Sequence, residues 1–518
     1  MTTSTCDKIF TTFKSLRVLD LHDLGIKIVP TSIEEMKYLR FAGRNSLNHL
    51  GIEGCLDLTH MPAGIDKLTS LQTLSLFVAS KKHVVTGGLR ELTVLNNLKD
   101  NLEILHLEQV KFSPSIKADK DEFLKNKEHL QQLTLRWDRG DDEERTGSSS
   151  VDVENEERLL ERLQPHQNLK VLFVVGYNGK TLSNWIHSLH CLVKFTLSDS
   201  PECEFLPPMD RLPHLKVLHL RRLNSLKFIA ENSATPAFFK SLKELAISDC
   251  PDLKSWWEND ELPKNNRPSF PCISKLNIRC CPNLTCMPLC TNLDEELVLV
   301  DSNVRSMRET KTETETTSET LLLPLSKLKS MITERIEESP PQSWLNDFTS
   351  LKELHIRDCI NLKSLPQGSK TLSSLQSLTI ERCDEFNLEK SEDEWKGLIN
   401  LHSLTLRSIP NLMTLTIGFG NLISLKELII YDCPSLTHLP ETIGKLISLR
   451  MLVISECKST DSLPKEMIKI TSLHNLEITD CPLLLPRCQP ETGDDWPQIA
   501  QIKNKLVREI PRDLSGLL

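Results

Sequence analysis

Residues 425–449 read LKELIIYDCPSLTHLPETIGKLISL. Leu428 and Ile430 stand two apart, the spacing of side chains on one face of an extended strand. Tyr431, Asp432 and Cys433 follow, then Leu436, Leu439 and Pro440. The proline fixes φ and lacks a donor, so it ends the strand pattern. Leu449 opens the next copy, LRMLVI, 24 residues after Leu425. A unit this short cannot bury its leucines alone. It must stack against copies of itself.

Working outward, the pattern L-x-x-L-x-L/I fills the chain. Copies begin at Leu16, Met36, Leu47, Leu71, Leu102, Leu130, Leu169, Leu192, Leu215, Leu242 and Ile273, with a looser one at Asp294 and a weak one around Leu328. Clean copies resume at Leu351, Leu375, Leu401, Leu425, Leu449 and Leu473, spaced 24, 26, 24, 24 and 24 residues. A period of about 20–29 with this pattern is the leucine-rich-repeat signature. The fold class that follows is α/β: a leucine-rich-repeat solenoid, a curved horseshoe with a parallel β-sheet on the concave face and irregular or short helical return segments. Cys55, Cys250, Cys281, Cys359, Cys383, Cys433, Cys457 and Cys481 occupy one slot of the repeat. A small buried side chain is expected there, where the backbone turns off the strand.

Composition agrees and excludes other classes. Leucine supplies 88 of 518 residues, far above ordinary usage, while aromatics are only 5%. No apolar run approaches the ~18 residues of a membrane span, and residues 1–21 lack the basic start and apolar core of a secretory signal. Sixteen cysteines are too dilute for a disulfide scaffold, so reduced thiols are expected. Net charge is −9. Nine acidic and three basic residues fall within 138–158 alone. Nothing resembles the basic footprint of a nucleic-acid binder.

These features suggest an organisation. Residues 1–304 should form a first repeat stretch, with a helix over 115–129 and a solvated acidic loop at 138–158. Residues 305–341 hold a Thr/Glu-rich insertion and the weak copy. Residues 342–482 should be the regular stretch, and 483–518 a cap over the last leucines.

Three clusters invite chemistry. Gly176-Tyr177-Asn178-Gly179-Lys180-Thr181 hints at a phosphate loop, but Val174 stands where the P-loop needs its first glycine; a tight turn is the plainer reading. Cys272, Cys280, Cys281, Cys286 and Cys290 cluster without the paired spacing of zinc sites. His187, His190 and Cys191 lack a placed carboxylate. No cofactor, metal or catalytic constellation follows.

The informative positions lie on the sheet face. The residue after the last strand Leu/Ile is Arg136, Arg221, Arg279, Arg357, Glu381, Arg407 and Tyr431 in different copies, and the next position holds Trp137, Arg222, Asp358 and Asp432. Arginine and aromatics on a stiff face suit protein recognition. The same columns also read as a solvated face whose charges pair between strands.

Several stretches resemble the leucine-rich-repeat region of plant intracellular disease-resistance proteins, the coiled-coil NB-ARC-LRR receptors. They are LTHMPAGIDKLTSLQTLSLFV (58–78), GGLRELTVLNNLKDNLEILHLEQV (87–110), KNKEHLQQLTLRWDRG (125–140), ERLLERLQPHQNLKVLFVVGYNGKTLSNWI (157–186) and CPLLLPRCQPETGDDWPQIAQI (481–502). Ser183-Asn184 stand where that family places a proline. The chain lacks the family's nucleotide-binding module, and repeats expected between residues 41 and 48 are missing, which suggests a deletion. The resemblance implies a non-enzymatic recognition region in the cytoplasm or nucleus. Its partners would be a pathogen effector or guarded host protein, and the nucleotide-binding module of a full-length receptor. The competing reading is an intracellular adaptor, such as a ubiquitin-ligase substrate-recognition scaffold. A cell-surface ectodomain fits less well, since the return motif is LxxLP.

Overall fold

The computed structural model describes residues 3–13, 16–33, 47–55, 57–62, 64–79, 86–111, 122–138, 150–230, 238–257, 269–284, 290, 292–302, 325–336, 348–365, 372–388 and 395–509. They fall into two compact units, Met1–Cys272 and Ile273–Leu518. The copy at Met36, the insertion at 305–320 and residues 139–149 lie outside the described residues.

The second unit stacks ten parallel strands in chain order, from Lys275–Cys281 and Glu296–Ser302 to Asn504–Arg508. The register is constant. Leu354, Leu378, Leu404, Leu428, Leu452 and Leu476 form one row, and Ile356, Ile380, Leu406, Ile430, Ile454 and Ile478 the other. Every one is at most 3% exposed. Burying such a side chain contributes about 1.5–3 kcal/mol, and a one-residue slip would expose the whole row. The looser copy at Asp294 and the weak one at Leu328 both yield ladder strands, the second being Ser330–Glu334.

In the first unit a short sheet of Val18–Asp20, His49–Gly51 and Thr73–Leu74 comes first. Leu76–Val78, Lys99–Leu105, His129–Arg136, Val171–Val175, Lys194–Ser198, Val217–Arg221 and Glu244–Ser248 then pair in parallel. A second, two-stranded ladder pairs Phe228–Ala230 with Ser255–Trp257. Beside it Phe238, Phe239, Trp256, Trp257 and Phe270 form an edge-to-face cluster, a local exception to an aliphatic core.

Many ladder strands end in the same way. Asp199, Arg222, Asp249, Asp358, Arg382, Ser408, Asp432, Glu456 and Asp480 adopt left-handed backbone, with φ from 50 to 58°. Asp tolerates this conformation better than most residues. The turned N–H donates to the strand end of the next repeat: Asp358 N to Glu381 O and Asp432 N to Ser455 O, both at 2.9 Å. The cysteine that follows is buried and free at all eight predicted positions. Its thiol donates back over the turn, as in Cys359 Sγ to Arg357 O at 3.3 Å and Cys481 Sγ to Thr479 O at 3.2 Å. On the return side, 3₁₀ turns Ile417–Asn421, Glu441–Lys445 and Lys465–Lys469 stack, the last two opening after Pro440 and Pro464.

Two expectations need correction. The helix placed over 115–129 does not include its described part, 122–129, which is bend, bridge and turn. Leu124 bridges Pro165, and the ammonium of buried Lys127 donates to Leu92 O and Leu95 O, which draws the segment inward. The helix instead occupies Ser150–Arg162, starting within the stretch 138–158 read as a solvated acidic loop and running past its end. Its Leu159 and Leu160 are fully buried and Glu156 is 3% exposed. Past Cys481 the repeat pattern stops, yet a last strand, Asn504–Arg508, pairs with Asn475–Thr479.

The terminal segment is tied down by charge. Arg487 grips Asp495 with two parallel bonds, Nε to Oδ2 and Nη2 to Oδ1, both 3.0 Å. Asp495 Oδ2 also accepts the N–H of Leu463, in the return segment of an earlier repeat.

Candidate protein-recognition face

The face of the sheet turned away from the core carries the predicted columns. In the second unit the structure brings Arg357, Asp358, Glu381, Arg407, Tyr431 and Asp432 together on four neighbouring strands or the turns that end them. Glu381 is the hub. Arg357 Nε lies 3.3 Å from its Oε2, an ion pair without hydrogen-bond alignment, and Arg407 Nε lies 3.8 Å from its Oε1. Arg382 also donates to Glu381 and grips Asp358 with two bonds, at 2.5 and 2.8 Å. The Arg382 bond holds the Asp358 carboxyl below its usual range.

Aromatic contact extends the row. The Arg407 guanidinium sits 4.6 Å from the Tyr431 ring centroid, and the Tyr431 hydroxyl donates to Glu456. That hydrogen bond, with desolvation, pushes the phenol up to about 12, so it remains a donor at neutral pH. Ser408 Oγ donates to Asp432 Oδ2 at 2.9 Å. These residues share one continuous face, and their charges pair between strands.

The other predicted residues behave differently. Arg279 Nε donates to Asn277 Oδ1 at 3.0 Å. In the first unit Arg136 pairs with Glu103 at 3.2 Å, Arg222 pairs with Asp199, and Arg221 is exposed. Trp137 is a correction. Its backbone is not left-handed like other residues at that position, and its side chain is 2% exposed, edge-on to Tyr177 at 5.3 Å. It belongs to the core.

A column between the two buried strand positions was missed. Phe173 lies there with Lys194 Nζ 5.4 Å from its ring, and so does His219, 2.9 Å from Glu244 Oε1. His355 is there too, its pKa lowered by burial and then by Arg357. The strand alternation itself points to these positions.

The loop Gly176–Thr181 is not set up to hold a phosphate. Its N–H groups already donate to the helix Ser150–Arg162: Asn178 N to Glu156 Oε2 at 2.8 Å and Lys180 N to Glu157 Oε1 at 3.0 Å. Two carboxylates where a phosphate would sit would repel it. Among the described residues no group of three or more His, Cys, Asp or Glu could hold a metal ion, and no helix is long and apolar enough to cross a membrane.

Comparison with known proteins finds similarity to plant proteins and to a known repeat family. Residues 89–223 match the R13L1/DRL21 leucine-rich-repeat family. The chain is similar to the putative disease resistance protein RGA4 of Solanum bulbocastanum, at 32% identity over 268 residues, half of this chain and 25% of that protein. It is 29% identical over 317 residues to RGA1 of the same species, covering 60% of this chain and 28% of the relative. A disease resistance RPP13-like protein of Arabidopsis thaliana is 26% identical over 328 residues, 57% of this chain and 30% of the relative. The chain thus spans under a third of each of these relatives. Among solved structures, the TLR13–ssRNA13 complex aligns over 99% of this chain and 74% of its own, with a TM-score of 0.51 at 18% identity, a likeness of fold alone. The chain is a leucine-rich-repeat solenoid whose repeats are similar to those of plant disease-resistance proteins.

Proposed function

We propose that the chain is the protein-recognition region of a plant innate-immune receptor. It senses a pathogen effector or a guarded host protein on the sheet face, and in a full-length receptor it helps hold the nucleotide-binding module inactive. It works in the cytoplasm or nucleus as a binding module, not an enzyme. The observation that carries this reading is the Arg357–Glu381–Arg407–Tyr431 row. Its side chains are held by one another, so docking freezes few new rotamers. Arginine and tyrosine are also the residues that most often dominate binding energy.

The test replaces Arg357 and Arg407 with glutamine in a full receptor carrying this region. Glutamine is chosen because glutamate would set two further acids beside Glu381. Co-immunoprecipitation and effector-triggered cell death in leaves should both be lost, with protein level unchanged. Neutralising Asp141, Asp142, Glu143 and Glu144 serves as the control and should keep recognition. If the control loses recognition while the arginine variant keeps it, this face is the wrong one. An adaptor role would show instead as constitutive association with ubiquitin-ligase subunits.

A further inference from the structure

The margin where the strands of the second unit begin carries cations without partners. The residue after the leading leucine is Lys329, Lys352, Gln376, His402, Lys426, Arg450 and His474 in successive repeats, and Lys503 precedes the last strand. Backbone bonds pin this line. The carbonyls of Lys329, Lys352, Gln376, His402, Lys426 and Arg450 each accept two N–H groups from the next repeat, at 2.7 to 3.0 Å. Lys329, Lys352, Lys426, Arg450 and Lys503 are all exposed. Among the described residues none of the five has an ion pair or side-chain hydrogen bond. Glu353 and Glu427 are adjacent, but they accept from Ser330 and Ser403.

An apolar stripe runs beside these cations. Two residues before the same leucine stand Ile399, Ile423 and Ile447, exposed by 50, 53 and 69%. One turn presents the last two: Ile423 N donates to Asn421 O and Ile447 N to Lys445 O, both at 2.9 Å. The turn does not require an apolar residue. In the first unit Asn96 and His190 occupy the same turn, with bonds to Val94 O and Ser188 O at 3.0 and 2.9 Å. Three isoleucines on adjacent repeats are therefore free of a folding role.

We propose that this margin, Ile399–Ile423–Ile447 with Lys426 and Arg450, docks an amphipathic α-helix of a partner protein bearing an acidic flank. Unpaired cations call for carboxylates, and the isoleucine stripe calls for an apolar row between them. Pitch selects a helix. Strands repeat every ~4.8 Å, close to the 5.4 Å of one helical turn, so residues at i, i+4 and i+7 meet one repeat each. An extended segment places like-facing side chains about 6.6 Å apart and falls out of step within two repeats. The surface lies apart from the Arg357–Tyr431 row and does not depend on the role proposed for it.

The experiment selects a phage-displayed library of random peptides, a few helical turns long, on the full chain. Enriched sequences should carry Asp or Glu beside apolar residues at i, i+3/i+4 and i+7. The best of them, made as a labelled peptide, should bind by fluorescence anisotropy with affinity roughly tenfold weaker for I423S/I447S and for K426E/R450E. A version with Lys for its acids should prefer the K426E/R450E chain over the parent, which shows that the variant is folded. R357Q/R407Q should bind like the parent. The proposal is overturned by no enrichment, by peptides without acids or helical spacing, by indifference to either variant, or by failed charge-swap rescue. Equal dependence of these residues in sedimentation with phosphatidylserine-containing vesicles would assign the margin to a membrane and likewise overturn it.

Discussion

Lys127 shows how far one residue departs from its type. It is 1% exposed, donates to two backbone carbonyls, and burial lowers its pKa to about 8. Between about 8 and the ordinary ~10.4 the unfolded chain binds a proton that the folded chain has released, so stability rises with pH across that window. The gain is on the order of 3 kcal/mol at its upper end. Urea midpoints of the parent and of Lys127→Met, measured from pH 7 to 10.5, should show the parent gaining on the variant as pH rises. A constant difference would mean that the ammonium is not desolvated. Gly176 is limited by geometry instead. Its φ is 76°, and an added Cβ would fall 2.0 Å from Trp137 O. Gly176→Ala should therefore destabilise by about 2 kcal/mol or more, seen as a lower thermal midpoint.

At the scale of the element, the sequence shows most clearly what repetition enforces. The rows Leu354–Leu476 and Ile356–Ile478 follow from spacing alone, and so does the cysteine slot, because each copy faces the same constraint as its neighbours. The helix Ser150–Arg162 was obscured by its charge: Leu159 and Leu160 are flanked by glutamates that read as solvated. Glu156 is buried because it accepts a loop N–H from Asn178, a contact no pattern encodes. The last strand was missed because it has a neighbour on one side only and needs no leucine pair; its residues are half-buried or exposed. Of the candidate face, the Arg357 and Arg407 positions were legible, whereas the inward turn of Trp137 depends on a backbone conformation that sequence spacing does not reveal. Because Glu156 and Glu157 occupy the N–H groups of the Gly176–Thr181 loop, calorimetric titration with ATP should show no binding; micromolar affinity would refute that geometry. Asp495→Asn should loosen the terminal segment. Amides of Asn504–Arg508 should then exchange faster while those of Ser377–Glu381 keep their rates, as hydrogen exchange would detect.

At the scale of the whole ladder, stability in a solenoid is a sum over neighbours, so damage should remain local. Cys433 tests this inside the second unit. It is fully buried, and its thiol donates to Tyr431 O at 3.6 Å. An aspartate there would bury a charge with no cation beside it, at a cost of about 3–5 kcal/mol, whereas alanine keeps the slot apolar and should cost about 1 kcal/mol. Exchange in Cys433→Asp should accelerate first in Ser403–Arg407, Glu427–Tyr431 and Met451–Ser455, the strand it follows and that strand's two partners. Lys275–Cys281 and Glu296–Ser302, several repeats away, should retain their protection. A compact domain with one shared core would lose protection throughout. Uniform acceleration across all ten strands would therefore show that the unit folds as a single cooperative block, and that the candidate face cannot be altered repeat by repeat.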